Sequence, residues 1–439
     1  MNYDEAIEYI EECGKSGIVP GLDSIRELLR RLGNPQDKLR FIHIAGTNGK
    51  GSTLATLSSI LRESRIKVGM YISPTICDYL ERFRIGGRNL GRKAFCKYLE
   101  AVKEAADSMT AEGLPAPTAF EVETALAFLA FLDKKADLVL LECGMGGLLD
   151  ATNVIDSALI SVFAHIDMDH EAFLGPDLKS IAENKAGIIK NGTCVVSTVQ
   201  YDEVSEVIKA KAGAVGAECI ILKACDIDRV KTSVKGTVFE LEHRKYKTAL
   251  IGRHQAGNAA TAIKVVEVLN SLIEAKDTRV SDLKHISEGA ITRGLQNTVW
   301  PARLDILSKK PLIVIDGAHN IDAADRLKET VREVWPDKRI VLILGMFRDK
   351  AVDEVISILC KDVFMVLTVA APGNSRALSS VELAERVGRV NERVSATDSV
   401  EEAVEIATLM SDEDTLILAT GSLAYLGRVI NVIGRTYNR

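Results

Sequence analysis

Arg40 to Thr53 reads RFIHIAGTNGKGST, an apolar run that stops at a glycine-rich turn carrying a lysine and two hydroxyls. Phe41, Ile42 and Ile44 have the character of a short buried strand, and Leu54, Leu57, Ile60 and Leu61 recur at helical spacing. The turn therefore joins a strand to a helix N-terminus. Gly46, Gly49 and Gly51 can adopt backbone angles closed to other residues, so that amide N–H groups face phosphate oxygens at the positive end of the helix dipole. Lys50 supplies a charge for the β and γ phosphates, and Ser52 or Thr53 an oxygen for magnesium. Only Thr47 and Asn48 separate the first two glycines, and Gly51 falls between Lys50 and Ser52, so this is a variant of the usual phosphate loop.

The rest of the chain repeats the strand-then-helix order. Lys67 to Ser73 is expected as a strand, followed by helices at Arg92 to Glu112 and Ala119 to Lys135. Ala136 to Cys143, ADLVLLEC, is a nearly unbroken apolar run that fits a central parallel strand buried on both faces. Strands at Ser157 to Ile166, Thr193 to Val199 and Cys219 to Ala224 alternate with helices at Asp177 to Ile189 and Asp202 to Ala212. Arg229 to Ile251 changes to short alternating segments, an antiparallel excursion, before helices at Gln255 to Ile273 and Val280 to Leu295. From Ala302 a fresh alternation begins, with strands near 312, 339, 363 and 415. This order predicts an α/β protein. With 439 residues it needs more than one domain. Residues 1–297 read as a phosphate-loop domain with a mainly parallel sheet, and residues 298–439 as a smaller Rossmann-like α/β domain, with the nucleotide expected between them.

A net charge of −6 argues against a nucleic-acid partner, which would call for a basic face. No apolar run reaches membrane-spanning length, and the acidic, amphipathic start MNYDEAIEYIEECGKSG lacks the order of a signal peptide. Eight cysteines without a C-x-x-C pair read as reduced core residues of a cytoplasmic protein, expected to be a monomer.

In sheets of this kind ligands sit beyond the carboxyl ends of the strands. Ser73 ends the second strand, Glu142 ends ADLVLLEC, and Asp167, Asp169 and His170 follow the next. A carboxylate inside an apolar run needs a cation, either a structural partner or a metal, so Glu142 has two readings. His170 is a loop or helix-capping histidine or a ligand; Lys185, in NKAGII, is a solvated helix lysine or one whose proton is loosened by apolar neighbours. In IVIDGAHN, Asp316 and His319 arrive at a strand end, with Gly317 permitting the turn and Arg303 not far upstream.

These segments carry a resemblance over nearly the whole chain. GTNGKGST (46–53), ECGMGGLLDATN (142–153), DHEAFLG with IAENKAGIIK (169–190), HQAGNAATA (254–262), WPARLD (300–305), DGAHN (316–320), RAL (376–378) and GSL (421–423) resemble, in order, the motifs of the folylpolyglutamate synthase and dihydrofolate synthase group of the Mur ligase superfamily. The resemblance implies an ATP-dependent amide ligase that joins L-glutamate to a folate or to dihydropteroate through an acyl phosphate. The alternative is a Mur-type ligase acting on a non-folate carboxylate. It further implies Lys50, His170, Lys185 and His319 in catalysis; Gly46 to Thr53, Asn258, Arg303 and Asp316 on ATP; and Ser52, Ser73, Glu142 and His170 on magnesium at two sites. Lys185 matches a lysine that the group carbamylates, and a potassium ion is a further cation the group admits. Arg82, Phe120, Glu121 and Ser422 fall on the substrate side. The chain departs from the group at Leu148, where an arginine is usual, at Thr75 for a histidine, at Asn184 for a glutamate, and at Tyr79 to Arg82.

Overall fold

The computed structural model describes residues 1–15, 17 and 19–437, which form two compact units. The first comprises residues 1–73, 80–228 and 257–298; the second comprises 74–79, 229–256 and 299–439. The short segment 74–79 and the antiparallel excursion thus group with the C-terminal residues, a pairing of distant segments with no local signature.

In the first unit the strands are β1 (Phe41–Ala45), β2 (Val68–Tyr71), β3 (Phe83–Ile85), β4 (Arg88–Asn89), β5 (Leu138–Glu142), β6 (Ile160–Phe163), β7 (Cys194–Ser197) and β8 (Cys219–Ile221). Their order in the sheet is β4-β3-β2-β5-β1-β6-β7-β8. From β2 to β8 every pairing is parallel, with Ile44 opposite both Glu142 and Val162, so these strands end along one edge. The β3–β4 hairpin, which extends the sheet antiparallel from β2, is too short to show in the apolar pattern. Phe163, Val195, Ile181 and Ile208 belong to one buried cluster that seats the helices on this sheet.

Segment 227–248 forms the expected antiparallel sheet of β9 (Ile227–Ser233), β10 (Gly236–Leu241) and β11 (Arg244–Thr248). The C-terminal sheet has the order β12-β13-β17-β14-β15-β16, from β12 (Asp305–Lys309), β13 (Leu312–Ile315), β14 (Arg339–Leu344), β15 (Met365–Thr368), β16 (Val394–Ala396) and β17 (Thr415–Thr420). Only β12 runs antiparallel. Val314, Leu342 and Leu418 pack into one cluster and their neighbours Ile313, Val341 and Ile417 into another. That two-residue alternation covers both faces, as apolar runs on consecutive strands require.

Two expectations need correction. The helix expected over 280–295 begins at Glu288, because the Ser287 side chain accepts the N–H of Ala290 and caps it there. The cysteines are not uniformly core residues: Cys96, Cys143 and Cys360 are buried, whereas Cys77 and Cys225 are exposed. All eight are free thiols, and among the described residues no helix is long and apolar enough to cross a membrane.

Candidate active site

The phosphate loop begins where β1 ends. Gly46 and Gly49 have φ of 152° and 91°, values that favour glycine at both points. Each is also crowded: a Cβ on Gly46 would lie 2.8 Å from Ala164 Cβ, and one on Gly49 would lie 2.4 Å from Asn258 Oδ1. Asn258, 209 residues beyond Gly49 in sequence, is thereby laid against the loop. Thr47 and Asn48 both donate their backbone N–H to His165 O, at 2.8 and 3.1 Å, and the Thr47 hydroxyl donates to Asp167 O at 2.8 Å. These two residues brace the loop on the end of β6. The N–H groups left to face an anion are those of the first turn of helix Lys50–Glu63, which have no partner within the helix.

Two lysines meet at this loop. Lys50 Nζ donates to Gly46 O at 3.0 Å, and Lys185 Nζ donates to the same carbonyl at 3.1 Å. Lys185 is no solvated helix lysine: it is 4% exposed. Burial, followed by the repulsion of Lys50, holds its ammonium down to about 7. One carbonyl thus accepts from two amines, one of which gives up its proton readily.

Beside it, the sheet order sets Ser73 after β2 and Glu142 at the end of β5, and Ser73 N donates to Glu142 Oε2 at 3.3 Å. Glu142 is 4% exposed and Ser52 2%, so carboxylate and hydroxyl are withdrawn from bulk water. His170 stands on a more open loop, at φ 55°, its Nε2 3.8 Å from Asp169 Oδ2.

On the substrate side, the Phe120 ring fills the space a side chain at Gly144 would occupy, 2.6 Å from an ideal Cβ there. Glu121 accepts the N–H and the hydroxyl of Thr118 at 2.7 and 2.9 Å, so its carboxylate closes the capping box of helix Ala119–Asp133. Arg82 Nη1 lies 3.2 Å from the buried Glu123 carboxylate. Two departures from the family pattern touch one another: Leu148 N donates to Asn184 O at 2.9 Å, and Gly147 N to Asn184 Oδ1 at 3.0 Å.

Sequence reasoning overlooked a buried polar chain below the site. His43 Nε2 is 2.8 Å from Thr152 Oγ1 and 3.1 Å from Cys143 Sγ, and Asp150 accepts from Thr152 and from Met145 N. Burial pushes His43 down to about 3 and raises the Cys143 thiol, so both are neutral. A single histidine within FIHIA was the available signal.

In the second unit the Asp316 carboxylate accepts from Leu304 N at 2.9 Å and from Ala318 N at 2.8 Å. Its pKa is raised by burial, against the pull of Arg303. Arg303 Nη1 donates to Ala302 O, and His319 Nδ1 pairs with Gly317 O, both at 2.8 Å. Gly421 N donates to Ala318 O at 3.0 Å, which brings the buried Ser422 to the same turn.

Comparison with known proteins shows the family. Residues 44–266 match the Mur ligase middle domain, and residues 302–423 the Mur ligase glutamate ligase domain. The dihydrofolate synthase/folylpolyglutamate synthase of Bacillus subtilis is 32% identical over 434 residues, which cover 97% of this chain and 98% of that protein. Folylpolyglutamate synthase of Mycobacterium tuberculosis, solved in complex with ADP and AMPPCP, superposes with a TM-score of 0.88 at 29% identity over 99% of both chains. Escherichia coli FolC in complex with DHPP and ADP gives 0.84 at 29% identity, over 99% of this chain and 98% of that one.

Proposed function

Because the chain belongs to the folylpolyglutamate synthase and dihydrofolate synthase family within the Mur ligases, we propose that it joins L-glutamate to a carboxylate of a folate or of dihydropteroate, driven by ATP cleavage. The observation that carries this reading is the convergence of Lys50 and Lys185 on the carbonyl of Gly46. A nucleotide-binding protein needs the first lysine; the second, buried and readily deprotonated, serves chemistry on the transferred phosphoryl group.

In the reaction the substrate carboxylate attacks the γ-phosphorus and ADP leaves. The glutamate amine then adds to the acyl carbon and expels phosphate. Positioning and charge neutralisation dominate such transfers. Lys50 and the first-turn amides hold the phosphates, Asn258, Arg303 and Asp316 belong to the nucleotide, and His319 and Ser422 serve the glutamate or acyl-phosphate region. Asn258 lies on Gly49, which supports the first of these assignments.

The donors fit magnesium: Ser52, Ser73 and Glu142 offer hard oxygens, and Glu142 is a buried carboxylate adjoining Ser73. His170 completes the proposed set. Magnesium bound there neutralises phosphate charge. The neutral Lys185 amine can add carbon dioxide, forming an N–C bond and releasing a proton, and so turn a cation into a carboxylate-like ligand for a second magnesium; a potassium ion is a further cation of this reading. Arg82 and Phe120 line the acceptor side.

The test is phosphate release by the purified protein with magnesium-ATP and L-glutamate, comparing dihydropteroate, tetrahydrofolate and no acceptor, with products weighed. A pterin-dependent signal with the mass of one glutamate residue added supports the proposal and identifies the acceptor. ATP binding without stimulation by either pterin transfers the assignment to a non-folate carboxylate.

A further inference from the structure

Arg303 is held by a backbone that L-residues avoid. The residues on either side, Ala302 and Leu304, both sit in the left-handed region, at φ 55° and 46°, and both are buried, at 0% and 2% exposure. Neither has the freedom of glycine, so surrounding bonds must impose the turn. Those bonds are present. Asp316 Oδ2 accepts Leu304 N, its Oδ1 accepts Ala318 N, and Gly317 N donates to Ala302 O at 3.0 Å. The carboxylate is fixed in turn, because Asp316 N donates to Ala419 O on the neighbouring strand. The guanidinium itself folds back to Ala302 O and lies over Gly317, where a Cβ would come 2.4 Å from Arg303 Nη1.

We propose that Asp316 is a positioning residue for Arg303: its two carboxylate oxygens tie the 302–304 turn to the 316–318 turn and so fix where the guanidinium points. The proposal rests on the assignment of Arg303 to the nucleotide and goes beyond it, since it gives Asp316 a task carried out through another side chain. Gly317 has the complementary task of leaving room for that guanidinium. The pairing also explains why a buried carboxylate next to an arginine uses its oxygens on main-chain donors.

The experiment is a double-mutant cycle on nucleotide affinity, by calorimetry with magnesium-ATP and no acceptor. Asp316→Asn keeps the shape but replaces one acceptor by a donor; Arg303→Ala removes the guanidinium. Each alone is expected to weaken ATP binding about tenfold, and the double variant to lose clearly less than the product of the two losses, because part of each is the same misplaced guanidinium. Gly317→Ala, whose added methyl would come 2.4 Å from Arg303 Nη1 and 2.5 Å from Leu423 Cδ2, should show the same loss in the wild-type background and none in Arg303→Ala, the Leu423 contact lowering the thermal midpoint equally in both backgrounds. This second variant keeps the test valid should Asp316→Asn fold poorly. Multiplicative losses in either cycle overturn the proposal, as does unchanged affinity in Asp316→Asn or Gly317→Ala. Unchanged affinity in Arg303→Ala instead removes the nucleotide assignment on which it rests.

Discussion

Replacing Lys185 by methionine should make the protein more stable, by an amount that depends on pH. The side chain is 4% exposed and loses its proton near 7 instead of the ordinary 10.5, burial being the larger cause and Lys50 the smaller. A displacement of that size corresponds to about 5 kcal/mol of unfavourable charge burial. Between the two values the unfolded chain carries the proton and the folded chain does not, so stability rises with pH across that window; below it both are charged and the penalty is complete. At pH 6 the wild-type protein should therefore be handicapped by up to about 5 kcal/mol relative to Lys185→Met, and at pH 9 by roughly 2. Methionine has a similar length, and any packing difference adds an offset that does not vary with pH. Urea denaturation of both proteins at pH 6, 7.5 and 9, in buffer free of carbon dioxide, nucleotide and magnesium, reads the gap directly. It should narrow by roughly 3 kcal/mol from pH 6 to pH 9. A gap constant to within about 0.5 kcal/mol, or one that widens, would refute the buried-amine reasoning. The same variant should lose ligase turnover, so that stability and activity move in opposite directions.

Other perturbations test the remaining parts of the site. Lys50→Met should abolish acceptor-dependent phosphate release while leaving the thermal midpoint within a few degrees of wild type, since the Lys50 amine bonds the loop carbonyls of Gly46 and Thr47; turnover near the wild-type rate would contradict the phosphate-loop assignment. Gly49→Ala puts a Cβ 2.4 Å from Asn258 Oδ1 at φ 91°, which should cost about 1–2 kcal/mol of stability and raise the KM for ATP. Normal ATP kinetics in a folded variant would show that Asn258 and the loop are not jointly used. Arg82→Ala removes a cation 3.2 Å from the buried Glu123 carboxylate and should destabilise by about 3 kcal/mol at neutral pH. A loss below about 1 kcal/mol in urea would mark the pair as energetically idle.

The parallel sheets were legible because their strands are short apolar runs separated by helical periodicity, and so was the phosphate loop, whose glycines and lysine stand together in the chain. β3, β4 and β16 were not, since they have two or three residues and no apolar run such as CIIL, which marks the equally short β8. The N-terminal helices Tyr3–Gly14 and Asp23–Arg31 carry apolar residues at helical spacing, of which the amphipathic character of the first is plain in the sequence. Lys185 shows the limit most clearly. Its neighbours NKAGII allowed both a solvated and a buried lysine, and only the packing of its helix against the phosphate loop settles that its amine reaches Gly46.

By itself the sequence determined the α/β class, the glycine-rich loop between strand and helix and the candidate side chains at strand ends, because each depends on residues adjacent in the chain or repeated at a fixed period. The tertiary structure decided what those side chains touch: that Lys185 is buried with its amine on Gly46 O, that Thr47 and Asn48 brace the loop on β6, and that Asp316 ties down the turn carrying Arg303. These depend on burial and on contacts between residues tens or hundreds of positions apart, and local pattern carries no information about such distances.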